Sequence, residues 1–142
     1  MNDDIVATAR NWLGVPFLHQ GRSQAGVDCV GVLMCVAEQL GMDVVRADRT
    51  DYSRLPSGDL LVAVLNKHLL AVDFLDARAG DVALFRLVRE PQHVGLLTDY
   101  VVGGSGGAGF GLLHCTEDIG KVVEHRLDAV WQRRMVGVWR FV

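Results

Sequence analysis

Asp28-Cys29-Val30-Gly31 opens a nearly all-apolar run from Cys29 to Leu40, which Gly41 closes. Read as a helix, the run has Asp28 at its N-cap and Cys29 in its first turn. Unpaired backbone N–H groups and the positive end of the helix dipole there favour a thiolate. His93 and His114 follow on candidate strands. A cysteine with two separated histidines can supply a thiol nucleophile, a base and an orienting group. The base takes the thiol proton, the sulfur attacks an amide carbonyl, and the imidazolium protonates the leaving amine. A thioester is left for water to hydrolyse. His114 can hold the base in one tautomer through a ring nitrogen, and the Cys29 N–H is a natural oxyanion donor.

The elements that must position these groups can be read from periodicity. Ile5, Val6, Ala9, Trp12 and Leu13 share one helical face, and Gly14 and Pro16 end that helix. Phe17 to Val27 reads as a loop, and the Cys29 helix, apolar nearly all round, should be central. Asp43 to Pro56 is polar and irregular. Ser57 is a candidate cap for a third helix that carries Leu61, Val64, Leu65 and His68 on one face. After Leu75 the period shortens. Val82–Val88, His93–Tyr100, Gly111–Thr116, Lys121–Leu127 and Met135–Val142 read as about five strands, closely spaced and therefore mostly antiparallel. Helices followed by strands give an α+β domain, one unit over residues 1–142.

The run Gly103-Gly104-Ser105-Gly106-Gly107-Ala108-Gly109 reads as a hairpin tip, with His93 and His114 nearly equidistant from it. Such positions lie opposite or one step diagonal, so both imidazoles can share a face. If the central helix packs on that face, its first turn can bring Cys29 to His93.

Other residues have plainer readings. Cys35 and Cys115 read as core thiols, His68 and His125 as surface or helix-face residues, and Arg133-Arg134 as a solvated edge. His19, on the loop before Cys29, could line a cleft. Cys29, His93 and His114 are also zinc-ligand types, but no Cys-x-x-Cys or His-x-x-x-His pair anchors a structural site, so no metal is expected. No phosphate loop or dinucleotide fingerprint is present, and no cofactor is expected.

Bulk composition narrows the partners. With 142 residues, half of them hydrophobic, and a formal net charge of −3, the chain can bury a core and has no basic block. That argues against nucleic acid or an anionic membrane as partner. No apolar run approaches the roughly 20 residues of a membrane span. The acidic start, Met1-Asn2-Asp3-Asp4, is not that of a signal peptide. Synthesis in the cytoplasm is expected, with any export by a route other than the general secretory one. Three cysteines without framework spacing read as reduced thiols.

Gly14-Val15-Pro16-Phe17, Gly21 and Gly26-Val27-Asp28-Cys29-Val30-Gly31 together resemble the nucleophile region of the NlpC-type cell-wall peptidases. Ala79-Gly80-Asp81-Val82-Ala83-Leu84-Phe85 with His93-Val94-Gly95-Leu96 resembles their second block, and Leu113-His114 their third. Phe17-Leu18-His19-Gln20 and the ending from Trp131 to Phe141 resemble a subgroup found among phage tail and prophage proteins.

The resemblance implies a papain-like fold and cleavage of peptidoglycan stem peptides. It implies Cys29 as nucleophile, His93 as base, His114 as orienting residue, and Asp28 as a contact for a free stem amine. Phe17 stands where many members have a tyrosine hydroxyl, and Val30 where many have serine, so two polar contacts near the substrate are missing. The resemblance also implies that targeting comes from a partner, such as a phage tail or other delivery protein. Two further readings stay open: an inert tail module with the same fold, and a thiol amidase or acyltransferase acting away from the wall.

Overall fold

The computed structural model describes residues 2–52, 58–87, 91–100 and 109–142. The Ser57 cap, Arg89-Glu90 and the glycine run over 103–108 lie outside these.

Helix α1 (Asn2–Arg10) leads through a turn at Gly14 to a two-residue hairpin, β1 (Arg22–Ser23) and β2 (Gly26–Val27). The central helix α2 (Cys29–Gln39) follows, then a 3-10 turn over Asp43–Ala47 and helix α3 (Gly58–His68). The strands are β3 (Leu70–Val72), β4 (Val82–Arg86), β5 (Pro91–Thr98), β6 (Gly111–Cys115), β7 (Val122–Arg126) and β8 (Met135–Arg140). A short helix α4 (Ala129–Arg134) precedes β8. Among the described residues the main sheet has six strands, one more than the five read from the sequence, in the order β3-β8-β4-β5-β6-β7, with antiparallel pairings. The additional strand, β3, is a three-residue edge whose Leu70 is exposed, too short for a period-2 pattern to stand out.

α2 starts and stops as its sequence dictates. The Asp28 carboxylate accepts from Gly31 N at 2.8 Å, and Gly41 takes a φ of +70° just past the end. Its apolar girth is buried. Val32, Leu33 and Val36 pack with Ile5 of α1, Leu61 and Leu65 of α3, and sheet residues Val82, Leu84, Val94, Leu96, Leu113 and Cys115. The opposite sheet face carries Ala83, Phe85, Leu97, Leu112 and Val138, covered by Trp131 of α4 and Met135.

An ion pair between a buried carboxylate and a partly exposed guanidinium ties the end of β8 to the start of β4. Asp81, fully buried, accepts from Arg140 Nε and Nη2, both at 2.9 Å, and from Arg78 N at 2.8 Å. No described helix is long and apolar enough to cross a membrane.

Candidate active site

Strand alternation decides which way the histidines point. Val94 and Leu96 face α2, so His93, Gly95 and Leu97 face α4. On β6, Leu113 and Cys115 face α2, so Leu112 and His114 also face α4. The two imidazoles do share a face, one diagonal step apart, with His93 Nε2 2.8 Å from His114 Nδ1. That face is not the one on which the central helix packs. Cys29 therefore shares a cleft with His93 by a route other than the common face expected from the sequence.

The route is a parting of strands. Pairing of β5 with β6 runs from Thr98↔Gly111 to Leu96↔Leu113 and stops there. Leu97 N donates toward the β4 side, to Asp81 O. Val94 therefore sends its N–H to the other side, where β6 no longer pairs. The Val94 N–H favours the Cys29 thiolate from there. At the parted end, Cys29 and His93 line one cleft of about 320 Å³ together with Phe17, Val30, Tyr52 and Cys115. A smaller apolar cavity of about 60 Å³ adjoins it and shares Val30 and Tyr52.

Gly95 is what allows the imidazoles to meet. A Cβ built there would lie 2.6 Å from Leu112 Cδ1 and 3.2 Å from His114 Cβ. Behind His114 stands a residue that had read as a surface histidine. His114 Nε2 lies 2.8 Å from His125 Nε2, and His125 Nδ1 lies 2.7 Å from the Arg126 carbonyl oxygen. The pairing Leu112↔His125 puts His125 on the histidine face. Trp131 packs over all three rings, with centroids 5.5, 4.7 and 6.4 Å from His93, His114 and His125. The Asp128 carboxylate caps its helix by accepting from Trp131 N. The Arg134 guanidinium lies over the indole, 4.9 Å from its centroid, while Arg133 is exposed.

Desolvation acts on the thiol and on both imidazoles. Burial, then the Asp28 carboxylate, push the Cys29 thiol up to about 12, although N–H groups of Val94 and Val30 pull the other way. Burial, then Arg134, bring His93 down to about 3. Burial and the neighbouring imidazoles bring His114 to about 2. At neutral pH buried His93 is a neutral imidazole, and desolvation works against a thiolate at Cys29, which is half-buried. The helix terminus alone, the signal visible in sequence, is outweighed by desolvation.

Asp28 is buried and internally committed. Oδ1 accepts from Gly31 N at 2.8 Å and Arg22 Nη1 at 3.2 Å, and Oδ2 from Gln20 N at 2.8 Å and Tyr52 Oη at 2.5 Å. A carboxylate has about four lone-pair sites, and all are filled. A substrate ammonium would have to displace one of these donors. Tyr52 and Arg22 were not singled out in the sequence, because each lies in an irregular stretch with no period to place it. His19 does not line the cleft; it packs edge-on against Tyr52, with centroids 5.7 Å apart. Cys35 and Cys115 are buried, and Cys115 also reaches the cleft wall. Among the described residues no cluster of His, Cys, Asp and Glu is disposed to hold a metal ion.

A central helix that carries Cys29, packed on an antiparallel sheet that carries His93 and His114, gives a papain-like α+β architecture. The NlpC/P60 family signature matches residues 14–140, and the chain belongs to the NlpC/P60 family. Among solved structures it is similar to an NlpC/P60 family protein from Bacillus cereus, at 21% identity and a TM-score of 0.70, over 99% of this chain and 40% of that one. A lipoprotein-like NLP/P60 family member from Staphylococcus aureus matches at 18% identity and 0.65, over 99% and 41%. The NlpC/p60 domain of the peptidoglycan hydrolase SagA matches at 19% identity and 0.67, over 99% of both chains. The chain therefore spans about two fifths of the Bacillus and Staphylococcus proteins. At these identities the likeness is one of fold. No curated protein matches the chain.

Proposed function

We propose that the chain is a cysteine peptidase or amidase that hydrolyses amide bonds in bacterial peptidoglycan stem peptides. In this reading Cys29 is the nucleophile, His93 the base and His114 the orienting residue. The observation that carries it is the shared cleft: Cys29 and His93 both line it where β5 and β6 part, and His114 is hydrogen-bonded to His93. Family membership and the likeness to a peptidoglycan hydrolase domain support the substrate class.

The reaction starts from neutral partners. His93 takes the thiol proton as the sulfur bonds to the carbonyl carbon, and the carbonyl π electrons move to oxygen. Backbone N–H groups at the start of α2 meet that oxyanion. Collapse breaks the C–N bond, and the imidazolium gives its proton to the leaving amine. Water then attacks the thioester and passes a proton to His93. The C–S bond breaks, and the sulfur regains its proton.

Asp28, in this account, fastens the nucleophile helix to the Arg22 and Tyr52 segments rather than holding a stem amine. Phe17 and Val30 give the cleft an apolar wall, and Tyr52 brings a phenol to it. A second reading, an inert module of a phage tail or similar assembly, draws on Cys29 being held as a neutral thiol and on the missing Phe17 hydroxyl.

Mass spectrometry of purified muropeptides incubated with wild type and Cys29→Ser separates the two. New fragments with wild type alone support the peptidase. Cleavage by both proteins, or by neither across several wall types, would overturn it.

A further inference from the structure

The Arg126 carbonyl can only accept a hydrogen bond. His125 Nδ1, 2.7 Å away, must therefore donate to it. In a neutral ring that leaves His125 Nε2 bare, so His114 Nε2, 2.8 Å distant, must be the donor of that contact. Neutral His114 is then bare at Nδ1, and His93 Nε2, 2.8 Å from it, must donate in turn. One nitrogen at the far end is left without a proton: His93 Nδ1. With all three rings neutral, each assignment follows from the one before, and the series is anchored by a carbonyl that can only accept.

We propose that His125 is a positioning residue, which transmits the Arg126 carbonyl through His114 and fixes His93 as the Nε2–H tautomer with a bare Nδ1 for the thiol proton. The proposal rests on reading His93 as the base. Burial keeps His93 and His114 neutral, which the sequence of donors requires. Trp131 covers the three rings and limits the access of water that would exchange for a ring partner. A triad ending at His114 would leave His114 Nε2 free to carry or lack a proton, and the base would then populate both tautomers. A base held in the wrong tautomer has its proton where its lone pair is needed.

Two-bond 1H–15N correlation spectra of the full chain, labelled with 15N-histidine and assigned with single histidine variants, read the ring protonation directly. Wild type at pH 7 should show His93 protonated at Nε2 and bare at Nδ1. His125→Phe keeps a ring against Trp131 but removes the acceptor for His114. It should mix the His93 tautomers and lower kcat by on the order of tenfold to a hundredfold at unchanged KM. His125→Gln, whose Oε1 can accept, should restore most of both readouts. A wild-type His93 protonated at Nδ1 would overturn the proposal. So would a folded His125→Phe protein with the wild-type tautomer, or one with mixed tautomers and full kcat. If His125→Phe does not fold, the wild-type spectrum and His125→Gln still decide. The spectrum needs no turnover, so failure of the peptidase reading and failure of this one are distinguishable.

Discussion

Replacing Gly95 by alanine adds a single methyl group at the point where the two catalytic candidates on the sheet lean together. The new Cβ would stand 2.6 Å from Leu112 Cδ1, the end of a side chain that can turn aside. It would also stand 3.2 Å from His114 Cβ, which is fixed to its strand and must yield by a few tenths of an ångström. That Cβ carries the imidazole that meets His93 Nε2 at 2.8 Å. Small overpacking of this kind costs about 1–2 kcal/mol. At this chain length each kcal/mol lowers Tm by about 4 °C, so a fall of roughly 4–8 °C is expected. Activity should suffer more than stability. A displacement of the base approaching 1 Å costs on the order of a hundredfold, and a few tenths about tenfold. Thermal melts and muropeptide turnover on one preparation give both numbers. Gly95→Ala with wild-type turnover would refute the idea that the His93–His114 contact depends on an absent side chain.

Three further outcomes follow from the same geometry. His93 and His114 have folded-state pKa values below those of the unfolded chain, so between about pH 6.5 and 3 the unfolded state binds more protons. Stability should therefore decline as pH falls through that window, by up to about 1.4 kcal/mol per unit per histidine, and a flat urea midpoint from pH 7 to 5 would contradict their burial as neutral rings. Arg140→Met leaves the buried Asp81 carboxylate without its bidentate partner and should cost about 3 kcal/mol by urea unfolding, whereas a loss under about 1 kcal/mol would show that the pair is not a structural tie. Because the Asp28 lone pairs are filled, N-acetylation of a stem peptide's free amine should change kcat/KM less than about tenfold; a loss beyond a hundredfold would restore Asp28 as an amine contact.

The order of elements was legible because α2 and the main strands carry strong periods. The Asp28 cap and Gly41 stop of α2 are local signals, and both appear in the structure. The shared face of His93 and His114 followed from alternation alone. The helix's choice of the opposite face did not, because Val94 and Leu96 are as apolar as the residues around the histidines and either face could have been covered. Tyr52 and Arg22 escaped notice because contacts made from irregular segments depend on tertiary placement rather than spacing. His125 pairs with Leu112 across the connection over residues 116–121, whose length a period-2 pattern does not fix, and a lone histidine on an edge strand ordinarily reads as exposed.

The central claim is that the Cys29 sulfur and the His93 ring act together on a peptide held in the cleft. A stem-like γ-glutamyl peptide that carries a vinyl sulfone in place of the scissile amide tests this most directly, with the adduct mapped by peptide mass spectrometry. Labelling of Cys29 alone, slowed at least tenfold in a folded His93→Ala variant, is the expected result. Equal labelling of Cys29, Cys35 and Cys115, or a Cys29 rate indifferent to His93, would contradict it.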